Sequence, residues 1–222
     1  MPIDALPKVT VTTAQALRAA AARVLHPTPT VQVFDHRHLS PRSDYDLNPE
    51  LRAELQDAQP RAAAVLVPII ARPQGLTVLL TQRPETMPTH AGQIAFPGGK
   101  MDATDATPVD TALREAEEEV GLHRRHVDVL GFLDSYQTGT SFRIVPVVSI
   151  VEPTFTLTVD PREVVDVFEV PFAFLMDSAN HRRDERQYNG ITRRFYAMPY
   201  GERYIWGATA GMLRNLYERL IG

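Results

Sequence analysis

An acidic run beginning directly after Arg114 contains the residue types best suited to chemistry in this chain. Four glutamates lie between positions 115 and 119, and Gly121 closes the run. Carboxylates near the C-terminal end of a helix oppose its dipole, and like charges one turn apart repel. Carboxylate oxygens bind hard divalent cations such as Mg²⁺ and Mn²⁺. The run therefore favours a metal-binding helix, and the alternative is an acidic face exposed to solvent.

The helix that carries the run has clear signals at both ends. Thr107 is suited to the N-cap, Pro108 to the first helical position, and Gly121 to a left-handed residue after the last turn. An apolar stripe that should face the core is formed by Val109, Ala112, Leu113, Ala116 and Val120.

Three of the glutamates should share one face of this helix. At 100° per residue, Glu119 lies about 40° from Glu115, and Glu118 lies about 60° away on the other side. Glu117 lies well off this face and is expected to be a solvated charge. Arg114 precedes Glu118 by one turn and can orient its carboxylate without occupying the metal position. Metal ions bound here could neutralise phosphate oxygens and activate water, which is the chemistry of diphosphate cleavage.

A glycine pair lies upstream of the helix. Gly98-Gly99 follows the apolar segment 94–97, and the pair lets main-chain groups approach a ligand closely. Together with the Arg-Glu-x-x-Glu-Glu-x-Gly motif of residues 114–121, it resembles the Nudix box. That box is the signature of hydrolases acting on nucleoside diphosphates linked to another moiety.

The resemblance implies roles for individual residues. It makes Glu115 and Glu119 ligands of Mg²⁺ or Mn²⁺, Glu118 a further ligand or the base, and the Gly98 carbonyl another ligand. Glu163 precedes a strand-like run where some Nudix enzymes place a general base, and the alternative for it is a solvent-facing turn residue. The implied fold is α/β: an α/β/α sandwich with a mixed β-sheet and a catalytic loop-helix-loop.

The segment between the glycines and the helix is one residue longer than in the general box. Counting back from Arg114 places Ala106 at the family's first glutamate, whereas counting forward from Gly99 places Asp105 there. This longer spacing resembles the coenzyme A diphosphatase branch of the family.

An upstream motif also resembles this branch. Residues 79–83 read Leu-Leu-Thr-Gln-Arg, and residues 92–99 end in Phe-Pro-Gly-Gly; Pro84 and Pro88 depart from the serine and arginine that the branch has there. The resemblance implies a hydrolase that cleaves coenzyme A or acyl-CoA to 4′-phosphopantetheine, or its acyl form, and adenosine 3′,5′-bisphosphate. One alternative is a hydrolase of ADP-ribose, NADH or another nucleoside diphosphate derivative. Another is a non-catalytic nucleotide-sensing module, although such modules typically lose the box carboxylates.

The residues expected to bind the substrate lie before the box. We assign Arg83, His90 and Gln93 to this role, because cationic and amide side chains there can contact substrate phosphates. The alternative is an ordinary polar loop surface.

Composition limits the remaining possibilities. The chain has 222 residues, 44% of them hydrophobic and 23% charged, with a formal net charge of −4 and no cysteine. It therefore lacks disulfides and cysteine-ligated metals, and its charge argues against a general nucleic-acid surface. The longest apolar stretches fall short of the ~20 residues of a membrane span, so we expect a cytoplasmic protein with a small-molecule substrate. Homodimerisation is left open.

Helices and strands are expected mainly after residue 60. Residues 1–60 are interpreted as a helical and irregular N-terminal extension with a helix over 14–25, and residues 61–222 as the Nudix hydrolase domain. A final helix is predicted over 206–220. Strands are predicted over 63–71, 76–81, 93–96, 127–133 and 143–151.

Overall fold

The computed structural model describes residues 11–30, 38–55, 59–86, 91–188 and 190–222. None of the helices in these ranges is long and apolar enough to cross a membrane. Short 3₁₀ segments lie at Pro49–Leu55, Arg124–His126 and Ser178–Asn180. In chain order the other elements are α1 (Ala14–Val24), β1 (Arg42–Ser43), β2 (Arg61–Arg72), β3 (Gly75–Gln82), β4 (Ile94–Ala95), β5 (Gly98–Lys100), α2 (Pro108–Val120), β6 (Val127–Phe132), β7 (Tyr136–Gln137), β8 (Phe142–Val151), β9 (Asp166–Pro171), α3 (Phe172–Leu175), β10 (Arg182–Tyr188), β11 (Ile191–Tyr200), β12 (Arg203–Trp206) and α4 (Gly207–Leu220).

The main sheet is mixed and contains nine strands within the described residues. Its order is β1-β7-β8-β2-β3-β4; β5 also pairs with β2, β6 with β8 and β9 with β3. The central β2 and β8 run parallel, while β3 is antiparallel to β2 and β6 is antiparallel to β8. The last strands, β10, β11 and β12, form a separate antiparallel sheet.

Both faces of the main sheet are covered by helices. On β2, Ala64, Leu66 and Ile70 pack in a core with α2, whereas Val65, Val67 and Ile69 pack on the other face with α1 and α4. A strand buried on both faces reads as a continuous apolar run, as 62–70 does. The predicted α/β/α sandwich with a mixed sheet is confirmed.

Helix α2 begins and ends where its sequence signals predict. Thr107 is the N-cap and accepts a hydrogen bond from the main-chain N–H of Asp110, and Gly121 takes φ = 70° at the C-cap. The apolar stripe packs against the sheet, with Ala112, Ala116 and Val120 fully buried. Burial of a valine or leucine contributes about 1.5–3 kcal/mol, so this stripe fixes the rotation of the helix and of its glutamates.

The described part of the N-terminal extension packs onto the rest of the chain. Leu17 of α1 is 0% exposed and lies in the same core as α4. The main chains of His26 and Phe132 exchange two hydrogen bonds, and β1 pairs with β7. The Asn48 side chain bonds to both main-chain groups of Arg194.

The strand predictions succeeded where the strands are apolar. The predicted strands around β2, β3, β6 and β8 are present, while the one predicted over 93–96 is shortened to Ile94–Ala95. The strand-like run after Glu163 is β9, whereas the short strands β1, β5 and β7 and the whole second sheet were not predicted. Strand β10 has the sequence RRDERQY and is mostly exposed, so it carries no apolar alternation and depends on pairing with β11.

Candidate active site

Strand β5 presents main-chain polar groups to α2. The Pro97 carbonyl and the Met101 N–H bond to β2, at 2.8 and 2.9 Å. In an antiparallel ladder the intervening residues alternate, so the main-chain groups of Gly98 and Lys100 point away from β2. The Gly98 N–H accordingly donates to Glu119 Oε2 on α2, at 3.2 Å. The Gly98 carbonyl also lies on the α2 side of this strand.

A side chain at either position of the pair would collide with its surroundings, with the main chain of β2 at Gly98 and with a side chain of α2 at Gly99. Gly98 has φ = 156°, and a Cβ there would lie 2.5 Å from the Ala64 carbonyl oxygen. A Cβ at Gly99 would lie 2.5 Å from the carboxyl carbon of Glu115. The pair therefore lets β5 fit between β2 and the carboxylates of α2.

The carboxylate of Glu119 is buried, and few hydrogen bonds or positive charges offset its loss of solvation. The residue is 3% exposed, and besides its bond to Gly98 its carboxylate lies 3.9 Å from Arg83 Nη1. The pKa of Glu119 is raised to about 8, mainly by burial and also by the negative charges of Glu115 and Glu163, while the Gly98 hydrogen bond and the Arg83 charge partly oppose this rise. The site thus has an excess of negative charge at its buried end.

Arg114 binds the carboxylates of Asp105, Glu115 and Glu118. It donates two hydrogen bonds to Asp105, at 3.0 and 2.8 Å, and one each to Glu115 at 2.9 Å and Glu118 at 2.8 Å. It also donates to the Lys100 carbonyl at 3.2 Å. These anionic partners raise the pKa of Arg114, which therefore acts as a fixed cation that orients Glu115 and Glu118.

Asp105 is a site residue that the sequence assignment omitted. Hydrogen bonds from Arg114 hold the pKa of Asp105 at about 2. The same carboxylate accepts from the Thr111 hydroxyl at 3.0 Å and from the Asp102 N–H at 2.9 Å. Of the two counts from sequence, the forward one places this contacting residue, and not Ala106, at the family's first glutamate.

Glu163 lies on the loop between β8 and β9. Main-chain hydrogen bonds connect this loop to the end of α2 and to the end of β3. The Asp160 N–H donates to the Glu119 carbonyl at 3.0 Å, the Glu163 N–H donates to the Asp160 carbonyl at 3.1 Å, and the Val165 N–H donates to the Gln82 carbonyl at 2.9 Å. These bonds hold Glu163 close enough for its charge to raise the pKa values of Glu115 and Glu119.

The residues assigned to substrate binding are partly described. The Arg83 N–H donates to the Gln93 carbonyl at 3.0 Å, so these two residues are neighbours at the end of β3. The Arg83 side chain is 22% exposed, and its buried Nε has no hydrogen-bond partner among the described residues. His90 lies outside the described residues, as does Pro88.

The oxygen donors of this site fit a hard divalent cation. Nowhere in the described ranges do three His, Cys, Asp or Glu side chains come together in a group that could hold a metal. The available donors are the carboxylates of Glu115 and Glu119 and the main-chain carbonyl of Gly98. Burial raises the pKa of Glu115 as well as that of Glu119, and a bound cation would stabilise both ionised carboxylates.

Comparison with known proteins identifies the family of this chain. The family model described as NUDIX domain matches residues 60–193. A Yersinia enterocolitica protein named uncharacterized Nudix hydrolase NudL is 38% identical over 176 residues, covering 76% of this chain and 90% of that protein. A protein of the same name from Escherichia coli K12 is 40% identical over 171 residues, covering 77% and 87%.

Among solved structures, a Nudix hydrolase from M. smegmatis, RenU, aligns with a TM-score of 0.44 and 23% identity, covering 51% of this chain and 71% of that one. From the match of the family model and the identity to the NudL proteins, this chain belongs to the Nudix hydrolases, enzymes that act on phosphoric anhydrides of nucleotide derivatives and generally use divalent metal ions.

Proposed function

We propose that this enzyme cleaves the diphosphate of coenzyme A or its acyl thioesters, releasing 4′-phosphopantetheine or its acyl form and adenosine 3′,5′-bisphosphate, with Mg²⁺ or Mn²⁺ as cofactor. Support for the substrate comes from the motif of residues 79–83, the Phe-Pro-Gly-Gly of residues 96–99 and the longer segment before α2, which together resemble the coenzyme A branch.

The observation that carries the reaction type is the meeting of opposite charges around Glu119. Its carboxylate is buried and feels the negative charges of Glu115 and Glu163, which favours a bound cation, and it lies 3.9 Å from the guanidinium of Arg83. The Arg83 side chain is 22% exposed and its Nη1 is too far from Glu119 for a hydrogen bond, so the guanidinium can also contact an anion. A metal-bound diphosphate supplies both charges at once.

The residues of the site have distinct roles in this proposal: some hold the cation and others orient the diphosphate. Glu115, Glu119 and the Gly98 carbonyl would hold the cation, which neutralises diphosphate oxygens and makes bound water more acidic. Arg114 keeps Glu115 in place through their 2.9 Å hydrogen bond. Arg83 and Gln93 orient the diphosphate, and His90 is a further proposed phosphate contact.

Glu163 is the proposed general base. Glu118 is the other candidate for base or additional ligand, but its carboxylate already accepts a hydrogen bond from Arg114 at 2.8 Å. The charge of Glu163 acts on Glu119, and Glu163 is proposed to accept the proton of the attacking water there. Glu163→Gln should therefore lower kcat more than Glu118→Gln, by about tenfold or more, and the reverse order would reassign the base to Glu118.

Substrate choice is tested with a panel of coenzyme A, dephospho-coenzyme A, ADP-ribose, NADH and a diadenosine polyphosphate at fixed Mg²⁺. We expect coenzyme A to have the highest kcat/KM, and loss of its 3′-phosphate to lower kcat/KM about tenfold or more, as for a lost charge-assisted hydrogen bond. Chromatography should identify adenosine 3′,5′-bisphosphate as product. A preference for ADP-ribose or NADH over both coenzymes would replace the coenzyme A assignment by that substrate class.

A further inference from the structure

A cavity lies beside the candidate active site, on the face of the main sheet opposite α2. It has a volume of about 450 Å³ and is lined by Gln82, Asp166, Tyr200, Gly201, Glu202 and Arg203. These residues come from the ends of β3 and β9 and from the turn between β11 and β12. Its volume is within the range of about 300–1,000 Å³ found for small-molecule pockets.

The cavity is one residue away from the proposed diphosphate contact. Side chains alternate along β3: Leu79 packs in the core with α2, and Leu80 packs on the opposite face. Continuing this alternation, Arg83 points to the α2 side, where it meets Glu119, and Gln82 points to the cavity. A substrate held at Arg83 can therefore extend around the end of β3 into the cavity.

The connecting edge exposes an apolar side chain. Val165 is 59% exposed, and its N–H bonds to the Gln82 carbonyl at 2.9 Å, between Glu163 on the catalytic side and Asp166 in the cavity wall. Val165 therefore lies on the edge that a ligand would follow from Arg83 to the cavity.

The cavity wall offers planar and acceptor groups. The Arg203 guanidinium lies over the Phe168 ring, 3.7 Å from its centroid, and pairs with Asp166 at 2.5 Å, so its plane is fixed. Tyr200 adds an aromatic ring. Guanidinium planes and aromatic rings stack on nucleobases. Asp166 and Glu202 contribute carboxylates, which accept hydrogen bonds from hydroxyl and amino groups.

We propose that this cavity is the subsite for the nucleoside end of the substrate, with the base against Arg203 and Tyr200 and the ribose 2′-hydroxyl or an exocyclic amino group against Glu202. The proposal deepens the proposed function and rests on it, since it assumes a substrate whose diphosphate is bound at Arg83.

Binding without turnover tests this subsite. In EDTA, calorimetry would compare AMP with ribose 5-phosphate, which lacks only the base, on the full-length wild type and on Arg203→Ala, Glu202→Ala and the control Arg182→Ala. Arg182 is exposed on β10 of the same small sheet. We expect wild type and control to bind AMP about tenfold more tightly than ribose 5-phosphate, as for one stacked base. Arg203→Ala should remove most of this difference.

The Glu202→Ala variant separates a loss of binding from a loss of folding. Glu202 is exposed in a turn, so its removal should leave the melting temperature unchanged. It should weaken AMP binding about tenfold or more, as for one lost hydrogen bond to a charged group. In steady state with Mg²⁺, Arg203→Ala and Glu202→Ala should raise KM with little change in kcat, since the cavity binds and does not react.

Three results would overturn the subsite: AMP no tighter than ribose 5-phosphate on wild type, the same base-dependent difference in Arg203→Ala, or an equal loss in Arg182→Ala. Failure of the proposed function looks different. A protein that hydrolyses neither coenzyme A nor ADP-ribose, yet loses AMP binding in Arg203→Ala, would keep the subsite and lose the function.

Discussion

Replacing Glu119 by glutamine should remove a pH-dependent loss of stability from the metal-free protein. Burial, reinforced by the charges of Glu115 and Glu163, raises the pKa of Glu119 from 4.5 to about 8. In the unfolded chain this carboxyl loses its proton near pH 4.5, whereas in the folded chain it keeps the proton up to about pH 8. The folded state therefore binds more protons within this window, and the free energy of unfolding must fall as the pH rises through it.

The magnitude follows from the two pKa values. Each unit of pKa difference corresponds to about 1.4 kcal/mol, so the change from 4.5 to about 8 amounts to at most about 5 kcal/mol across the whole window. Domains of this kind are stable by about 5–15 kcal/mol, so the effect is a large share of the total. The stabilisation by protonated Glu119 is fully present below pH 4.5 and is lost above pH 8.

Urea unfolding in EDTA at pH 5, 6, 7 and 8 measures this dependence. Glu119→Gln is isosteric and can still accept the Gly98 hydrogen bond, so its curve should lose less stability with pH than wild type. Glu117→Gln is the matched control on the same helix, because the Glu117 side chain is 49% exposed, and it should follow wild type. Mg²⁺ added at pH 8 should restore the stability of wild type. Equal slopes in wild type and Glu119→Gln would refute the reasoning.

Further variants probe the rest of the site and the fold. With Mg²⁺, Glu119→Gln should lower kcat about 10³-fold, and an almost unchanged turnover in the folded variant would contradict its metal role. Arg114→Ala should cost less, about 10- to 100-fold, because it disturbs only ligand orientation; an equal or larger loss would indicate substrate contact. Gly99→Ala should raise the Mg²⁺ concentration needed for half-maximal rate, since its Cβ would displace the Glu115 carboxylate. Leu17→Ala should lower the free energy of unfolding by about 2–5 kcal/mol if α1 belongs to the core, and a loss below about 0.5 kcal/mol in urea unfolding would contradict this.

The parts of the structure that the sequence predicted well are those set by local patterns. Helix α2 combines the Thr107 cap, the Gly121 terminator and an apolar stripe, and these agree with one another. The central strands β2 and β8 are apolar throughout, so their burial was visible without knowledge of their partners. The predicted contact between Arg114 and Glu118 is present because one helical turn separates them.

What the sequence could not supply depends on contacts between distant segments. Two registers were open for the first box glutamate, and only the contact of Asp105 with Arg114 distinguishes them. Strand β5 begins with Gly98-Gly99, which reads as a turn, and it becomes a strand by pairing with β2. The approach of Arg83 to Glu119 likewise requires the fold, as does the presence of a cavity beneath Gln82.

The alternation along β5 also determines where this chain can tolerate an insertion. Between Pro97 and Met101 every second residue turns its main chain toward α2, so an added residue there would rotate the Gly98 N–H away from Glu119 and toward β2. From Asp102 to Thr107 the chain is a loop with a short turn at 103–104, and it pairs with no strand. The extra residue of this chain can be absorbed in that loop, where length can change while the order of contacts between strand and helix is preserved.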